Sequence, residues 1–181
     1  GFITKRQHAF INKHSTATNL LECTFDWVVS LSKHESIDVI YVDFSRAFDS
    51  ITFNKLNIKM LSYGIEGKLL IWLRAFLYNR QQYVVIENCF SGVADVISGV
   101  PQGSVLGPVL FLIFINDIDS VCCGNTVSQL FADDLKLYSS VTVTNSSLSL
   151  QQSIDKLVDW SDKWQLAINI GKCAVLTIGS R

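Results

Sequence analysis

The period of apolar positions changes several times along this chain, and each change marks an element. Ala17, Leu20, Leu21, Phe25, Val28 and Val29 recur at helical spacing, with Ser15 or Thr16 placed to cap, which predicts a helix to about Leu31. The apolar run 37–44, with Asp43 near its end, reads as a buried strand. Helical spacing returns over 54–63, stopping at Gly64, and over 68–78, with Leu69, Leu70, Trp72, Leu73, Phe76 and Leu77. Segments 82–87 and 93–97 read as strands about a turn-like 88–92. A glycine-rich loop, 99–107, holds Pro101. Pro108 then suits the first turn of a helix to about Ile118, where a missing N–H costs nothing. Two strand-like runs, 127–131 and 135–138, flank a tight turn. Ser146 or Ser147 caps a helix to about Leu166, and 173–178 is a last strand.

This irregular alternation around a central hairpin predicts an α+β fold, an antiparallel sheet with helices packed on one face, in a single domain. With 181 residues, 49% of them apolar, the chain can bury a core of that size, and only 17% charged residues argue against a disordered chain. The net charge of −1 argues against a strongly basic nucleic-acid binder but leaves room for a local basic groove. The five cysteines form no Cys-x-x-Cys pair and read as free thiols. The longest apolar runs, near 110–115 and 69–77, are too short to span a bilayer, so no membrane partner is expected. The chain starts at Gly1 and ends at Arg181 just beyond a strand-like run, which suggests a piece of something longer.

Candidate chemistry begins at Phe131-Ala132-Asp133-Asp134. Two adjacent carboxylates in a turn between paired strands would sit at one edge of a sheet, where paired acids can hold divalent metals for phosphoryl transfer. A solvated turn is the commoner meaning of Asp-Asp alone. Asp43 adds a third carboxylate at the end of a buried strand, costly there unless paired, solvated or on a metal. Asp49 is weaker, since it can cap the next helix. The stretch 98–108 is the second unusual feature. Its three glycines allow close backbone approach to a ligand, but it lacks the Lys-Ser/Thr ending of a nucleotide P-loop.

Together Val42-Asp43-Phe44-Ser45-Arg46-Ala47-Phe48-Asp49, Ser98-Gly99-Val100-Pro101-Gln102-Gly103-Ser104 and Phe131-Ala132-Asp133-Asp134 resemble the motifs of reverse transcriptases, in the family's order. The flavour is that of non-LTR (LINE-type) retrotransposons. Gln7-His8-Ala9-Phe10, Asn79-Arg80-Gln81-Gln82-Tyr83-Val84, Ile115-Asn116-Asp117 and the region from Trp160-Ser161 to Lys172-Cys173 extend the resemblance over nearly the whole chain. The resemblance implies a polymerase palm with part of the fingers, the N-terminal fingers and thumb being absent. It implies RNA-directed DNA polymerase activity, with RNA template, DNA primer and dNTPs as partners. Two Mg²⁺ ions, or Mn²⁺, would serve nucleotidyl transfer to a primer 3′-hydroxyl. Asp43, Asp133 and Asp134 would be the metal ligands, and Lys172 a proton donor to pyrophosphate. Phe48 would pack under the incoming sugar, with Phe44, Pro101, Gln102, Gly103 and Ala132 also bordering the nucleotide. Arg46 and Arg80 would contact phosphates or be exposed. An intracellular setting, nucleus or cytoplasm, follows from the same resemblance.

Two departures stand out: Ala9 replaces the glycine often seen in Gln-x-Gly-Phe, and Ile11 stands where many relatives carry arginine. Rival readings are a decayed or truncated copy that catalyses nothing, a non-catalytic nucleic-acid-binding module, and an RNA-dependent RNA polymerase. Retention of all three acids counts against the second. Phe48 counts against the third, because ribonucleotides need room for a 2′-hydroxyl.

Overall fold

Ser15 and Thr18 close a capping box, the Thr18 N–H donating to Ser15 Oγ and the Ser15 N–H to Thr18 Oγ1, and helix α1 (Thr16–Ser32) follows from it. The computed structural model describes residues 2–141 and 148–179. Contacts divide the chain into two units, Gly1–Ala47 with Ile115–Arg181, and Phe48–Phe114.

The first unit is built on a four-stranded sheet. Strand β1 (Ser36–Val42) lies between β7 (Asp134–Val141) and β8 (Ala174–Ile178), and β6 (Val127–Phe131) completes the order β6-β7-β1-β8. Every pairing is antiparallel. Cys23 of α1 packs with Ile37, Val39 and Tyr138 of the sheet, and Trp27, Tyr41, Val127 and Ile178 border that cluster. The Tyr138 hydroxyl donates to Asp26 of α1 at 2.6 Å, and burial pushes its ionisation far above the ordinary tyrosine value. The first four residues of β1 are all buried, as in a strand covered on both faces. Asp38 among them is satisfied by the Thr177 hydroxyl, which donates at 2.7 Å. Helix α6 (Leu148–Trp164) buries Leu150, Leu157, Trp160 and Trp164 and touches β7. Its expected caps, Ser146 and Ser147, fall outside the described residues.

A short helix α2 (Ala47–Ser50) leads into the second unit. There α3 (Phe53–Ser62) packs on α4 (Gly67–Leu77), and Leu56, Met60, Leu70, Leu73 and Leu77 are buried. Helix α5 (Leu106–Ile115) is apolar around its whole circumference, the mark of a buried helix.

Two expectations need correction. The strands expected at 82–87 and 93–97 are four two-residue pieces. β2 (Gln81–Gln82) pairs with β5 (Ala94–Asp95), and β3 (Val85–Ile86) with β4 (Cys89–Phe90), inside the stretch expected to be a turn. Left-handed Glu87 (φ +53°) turns the chain earlier than composition suggests, and Val84, Ile86 and Phe90 are exposed, so no covering layer lengthens the ladder. Helix α5 stops at Ile115, with a separate 3-10 turn over Ile118–Val121. The next two side chains serve other contacts: Asn116 accepts from Thr4 N and donates to the Phe2 carbonyl, and Asp117 accepts from Trp160 Nε1. Among the described residues, no helix is long and apolar enough to cross a membrane.

Candidate active site

Strand register gathers the acids of the first unit. β1 and β7 are in register at Val42↔Leu135, so the next step along both chains sets Asp43 opposite Asp134. β1 and β8 are in register at Tyr41↔Ala174, and two steps further on lies Lys172, in a 3-10 turn over Ile170–Lys172. Its ammonium stands 3.7 Å from Asp43 Oδ2. Beyond Asp43 the chain stays anchored, since the Asp43 carbonyl accepts from Asn169 N at 2.8 Å and Phe44 bridges to Ile168. Phe44 is 4% exposed with its ring 6.3 Å from that of Trp160, so its side chain belongs to the core.

The turn joining β6 to β7 consists of Ala132 and Asp133, between the paired Phe131 and Asp134. Ala132 is left-handed, with φ +56°. Asp133 is half-buried, and its carboxyl is pushed above the usual carboxylate range. Burial is the main cause, and the charges of Asp134 and Asp43 add to it, while a backbone hydrogen bond opposes it. The three acids expected from the sequence therefore lie within electrostatic reach of one another.

A cavity of about 460 Å³ opens beside them, lined by Tyr41, Asp43, Phe131, Asp134, Lys136 and Lys172 together with Thr16 and Asn19 of α1. Lys136 was not singled out by sequence reasoning, although strand alternation places it on the same face as Asp134, two residues away. Its ammonium donates to Asn19 Oδ1 at 2.8 Å.

Two observations bear on whether these residues suit a divalent cation. Asp43 Oδ2 is closed off from solvent and accepts no hydrogen bond, and Asp133 is held at a raised pKa partly by its two acidic neighbours. A cation would relieve both, so the donor set fits a hard metal ion. Among the described residues, no three His, Cys, Asp or Glu side chains already converge on one point.

The remaining candidates, Phe48, Pro101, Gln102 and Gly103, belong to the second unit. There the loop after Ser98 is tied to the start of the unit. The Gly99 N–H donates to the Ile51 carbonyl at 2.8 Å, Val100 N to Phe48 O at 3.0 Å, and Ser98 Oγ to Asp49 O at 2.8 Å. Gln102 Nε2 donates to Asp49 Oδ1 at 2.7 Å, so Asp49 braces the loop instead of capping a helix. Phe48 stacks on Phe111, ring centroids 4.1 Å apart and planes 13° from parallel. Arg80, expected at phosphates or in solvent, donates to the carbonyls of Leu77 at 2.9 Å and Gly99 at 2.7 Å and lies over Phe53. Its donors brace the same loop.

A residue that sequence reasoning placed in the family pattern without a role also matters. The Gln7 side chain is hydrogen-bonded to both sides of Ala132.

Comparison with known proteins agrees with the motifs. The family model described as reverse transcriptase (RNA-dependent DNA polymerase) matches residues 2–179. The RNA-directed DNA polymerase from mobile element jockey of Drosophila funebris is 31% identical over 97% of this chain, and that of Drosophila melanogaster 27% over 99%. The probable RNA-directed DNA polymerase from transposon BS of Drosophila melanogaster is 28% identical over 90%. The chain spans about a fifth of the length of these relatives, 20%, 20% and 19% respectively. Among solved structures, telomerase from Candida albicans in complex with a TWJ fragment of telomeric RNA matches with a TM-score of 0.70 at 14% identity, over 90% of this chain and 30% of that one. Apo telomerase from Candida tropicalis matches with a TM-score of 0.71 at 13% identity, over 95% of this chain and 33% of that one. At such identities these structures speak for the fold, an α+β palm-like arrangement. Members of the matched family generally use divalent metal ions, and the chain belongs to it: it is a reverse transcriptase domain of the non-LTR (LINE-type) retrotransposon kind.

Proposed function

We propose that this chain forms the palm and part of the fingers of an RNA-directed DNA polymerase, which adds deoxynucleotides to a DNA primer 3′-hydroxyl on an RNA template. The observation that carries the reading is the register of β1 and β7, which sets Asp43 opposite Asp134 and next to the Asp133 turn. Asp43 and Asp133 would hold two Mg²⁺ ions, or Mn²⁺, with Asp134 a third acid. Bound there, the ions would supply charge neutralisation for nucleotidyl transfer. Asp43 Oδ2, closed off from solvent and accepting no hydrogen bond, with the Lys172 ammonium 3.7 Å away, supports this use. Lys172, its side chain 69% exposed, is free to leave Asp43 for a triphosphate and is the candidate proton donor to the departing pyrophosphate. In the second unit, Pro101, Gln102 and Gly103 would border the nucleotide through a braced backbone, and Phe48 would present its ring to the sugar. In the first, Ala132 would border the nucleotide. The family and the jockey relatives support RNA, primer and dNTPs as partners.

Primer extension on an RNA template with dNTPs and Mg²⁺ tests the reading, comparing the wild-type chain with Asp133→Asn. Extension by the wild type alone supports it. The variant is expected to melt no lower than wild type at pH 7, because it loses one of three mutually repelling carboxylates. Equal extension by both overturns the role of Asp133. Extension by neither overturns polymerase activity in a chain of this length and favours the inactive-copy reading.

A further inference from the structure

The turn that carries Asp133 is held by a side chain from the far end of the sequence. Gln7 is 1% exposed. Its Oε1 accepts from Ala132 N at 2.8 Å and from Ala9 N at 2.9 Å, and its Nε2 donates to the Ala132 carbonyl at 3.2 Å. One amide thus grips the same residue through both its N–H and its C=O. That residue is the left-handed alanine immediately before Asp133, in a conformation which favours glycine. The grip is itself well seated. Leu130 N donates to Arg6 O and His8 N to Leu130 O, both at 3.0 Å, so the backbone on either side of Gln7 runs alongside β6 as a short parallel bridge. Asn19 of α1 donates to the same Leu130 carbonyl at 3.1 Å.

We infer that Gln7 is a positioning residue for the carboxylate turn: it holds Ala132 in its left-handed conformation and thereby aims Asp133 at the metal position. A glutamine buried only for packing has no reason to spend both ends of its amide on one residue. The inference rests on the proposed metal role of Asp133, and two independent measurements separate the two.

The first measurement is amide hydrogen exchange at Ala132 in the 181-residue chain, which needs no metal. Gln7→Met keeps the length and buried volume while removing all three bonds, the two to Ala132 and the one from Ala9 N. At least a tenfold acceleration of Ala132 exchange, with the melting transition still cooperative, is expected. The second is Mn²⁺ binding, with free Mn²⁺ counted by electron paramagnetic resonance in wild type, Asp133→Asn, Gln7→Met and Gln7→Met/Ala132→Gly. Gln7→Met is expected to weaken binding at least fivefold, and glycine at 132 to recover most of that loss, because glycine adopts the turn without being held. A loss through general loosening would not be recovered by adding a glycine. Unchanged Ala132 exchange in folded Gln7→Met overturns the clamp. Unchanged Mn²⁺ affinity in that variant, or a loss that Ala132→Gly leaves in place, overturns its role in aiming Asp133. Should wild type and Asp133→Asn bind Mn²⁺ equally, the metal reading of Asp133 falls, and with it the aiming role, while the exchange result still decides the clamp.

Discussion

The Ala132–Asp133 turn of the first unit and the Ser98–Gly107 loop of the second both hold left-handed backbone at a candidate site, and they stabilise it by opposite means. In the loop, Gly99 (φ +81°) lies so close to the chain that a Cβ would come within 2.8 Å of Asp49 Cα and its carbonyl oxygen. The absence of a side chain is what lets the strands of that loop meet. In the turn, an alanine takes φ +56° and is held by the amide of Gln7. Conformation can be secured by removing atoms or by adding bonds. The first requires glycine, while the second tolerates another residue as long as the distant partner remains.

Gly99→Ala should have the largest effect in a test of that contrast. Left-handed strain and a backbone clash together should cost about 2–5 kcal/mol, read as a fall in the urea unfolding midpoint. Gly103→Ala separates the two causes, because Gly103 has φ +77° but nothing within 4 Å of an added Cβ. It should lose about 1 kcal/mol, from strain alone. Equal losses at the two positions would mean that the contact with Asp49 is unimportant. Ala132→Gly should run the other way or stand still, changing stability by less than about 1 kcal/mol, since relief of strain is set against the greater freedom of an unfolded glycine. A loss as large as that of Gly99→Ala would show that the turn depends on the alanine methyl itself.

The gentlest test uses pH, because histidine occurs at positions 8, 14 and 34, all in the first unit, and nowhere in the second. His8, next to Gln7, is held below its ordinary value of 6.5, chiefly by burial, with Glu22 opposing. The unfolded chain then binds more protons than the folded one, so the stability due to His8 is present above about pH 6.5 and is lost as pH falls from there towards the folded value. Asp133, raised, has the opposite sign: its contribution is present below its unfolded value and is lost as pH rises through the folded one. Urea unfolding at pH 7.5 and 5.5 should show a smaller difference in His8→Gln than in wild type. An equal difference would remove His8 from the account.

Local pattern already identified most of the elements. The helix at Thr16–Ser32, the strand leading to Asp43 and the hairpin around Asp133 follow from capping residues, period and turn chemistry, which act over a few residues. The three acids and the glycine loop were legible for a related reason, since ordered motifs place unusual residue types where a fold of this kind brings strand ends together. What failed was tertiary in cause. The pieces at 81–95 are cut short for want of a covering layer, and α5 ends early because Asn116 and Asp117 bond elsewhere.

By itself the sequence determined the type of most elements, the family and the identity of the candidate acids, because those depend on residue chemistry and short-range spacing. Only the tertiary structure decided that Asp43 faces Asp134, that Lys172 reaches Asp43, that Arg80 braces a loop, and that Gln7 holds a turn 125 residues away. Those are consequences of register and of side-chain reach between segments distant in the chain, and no local period carries that information.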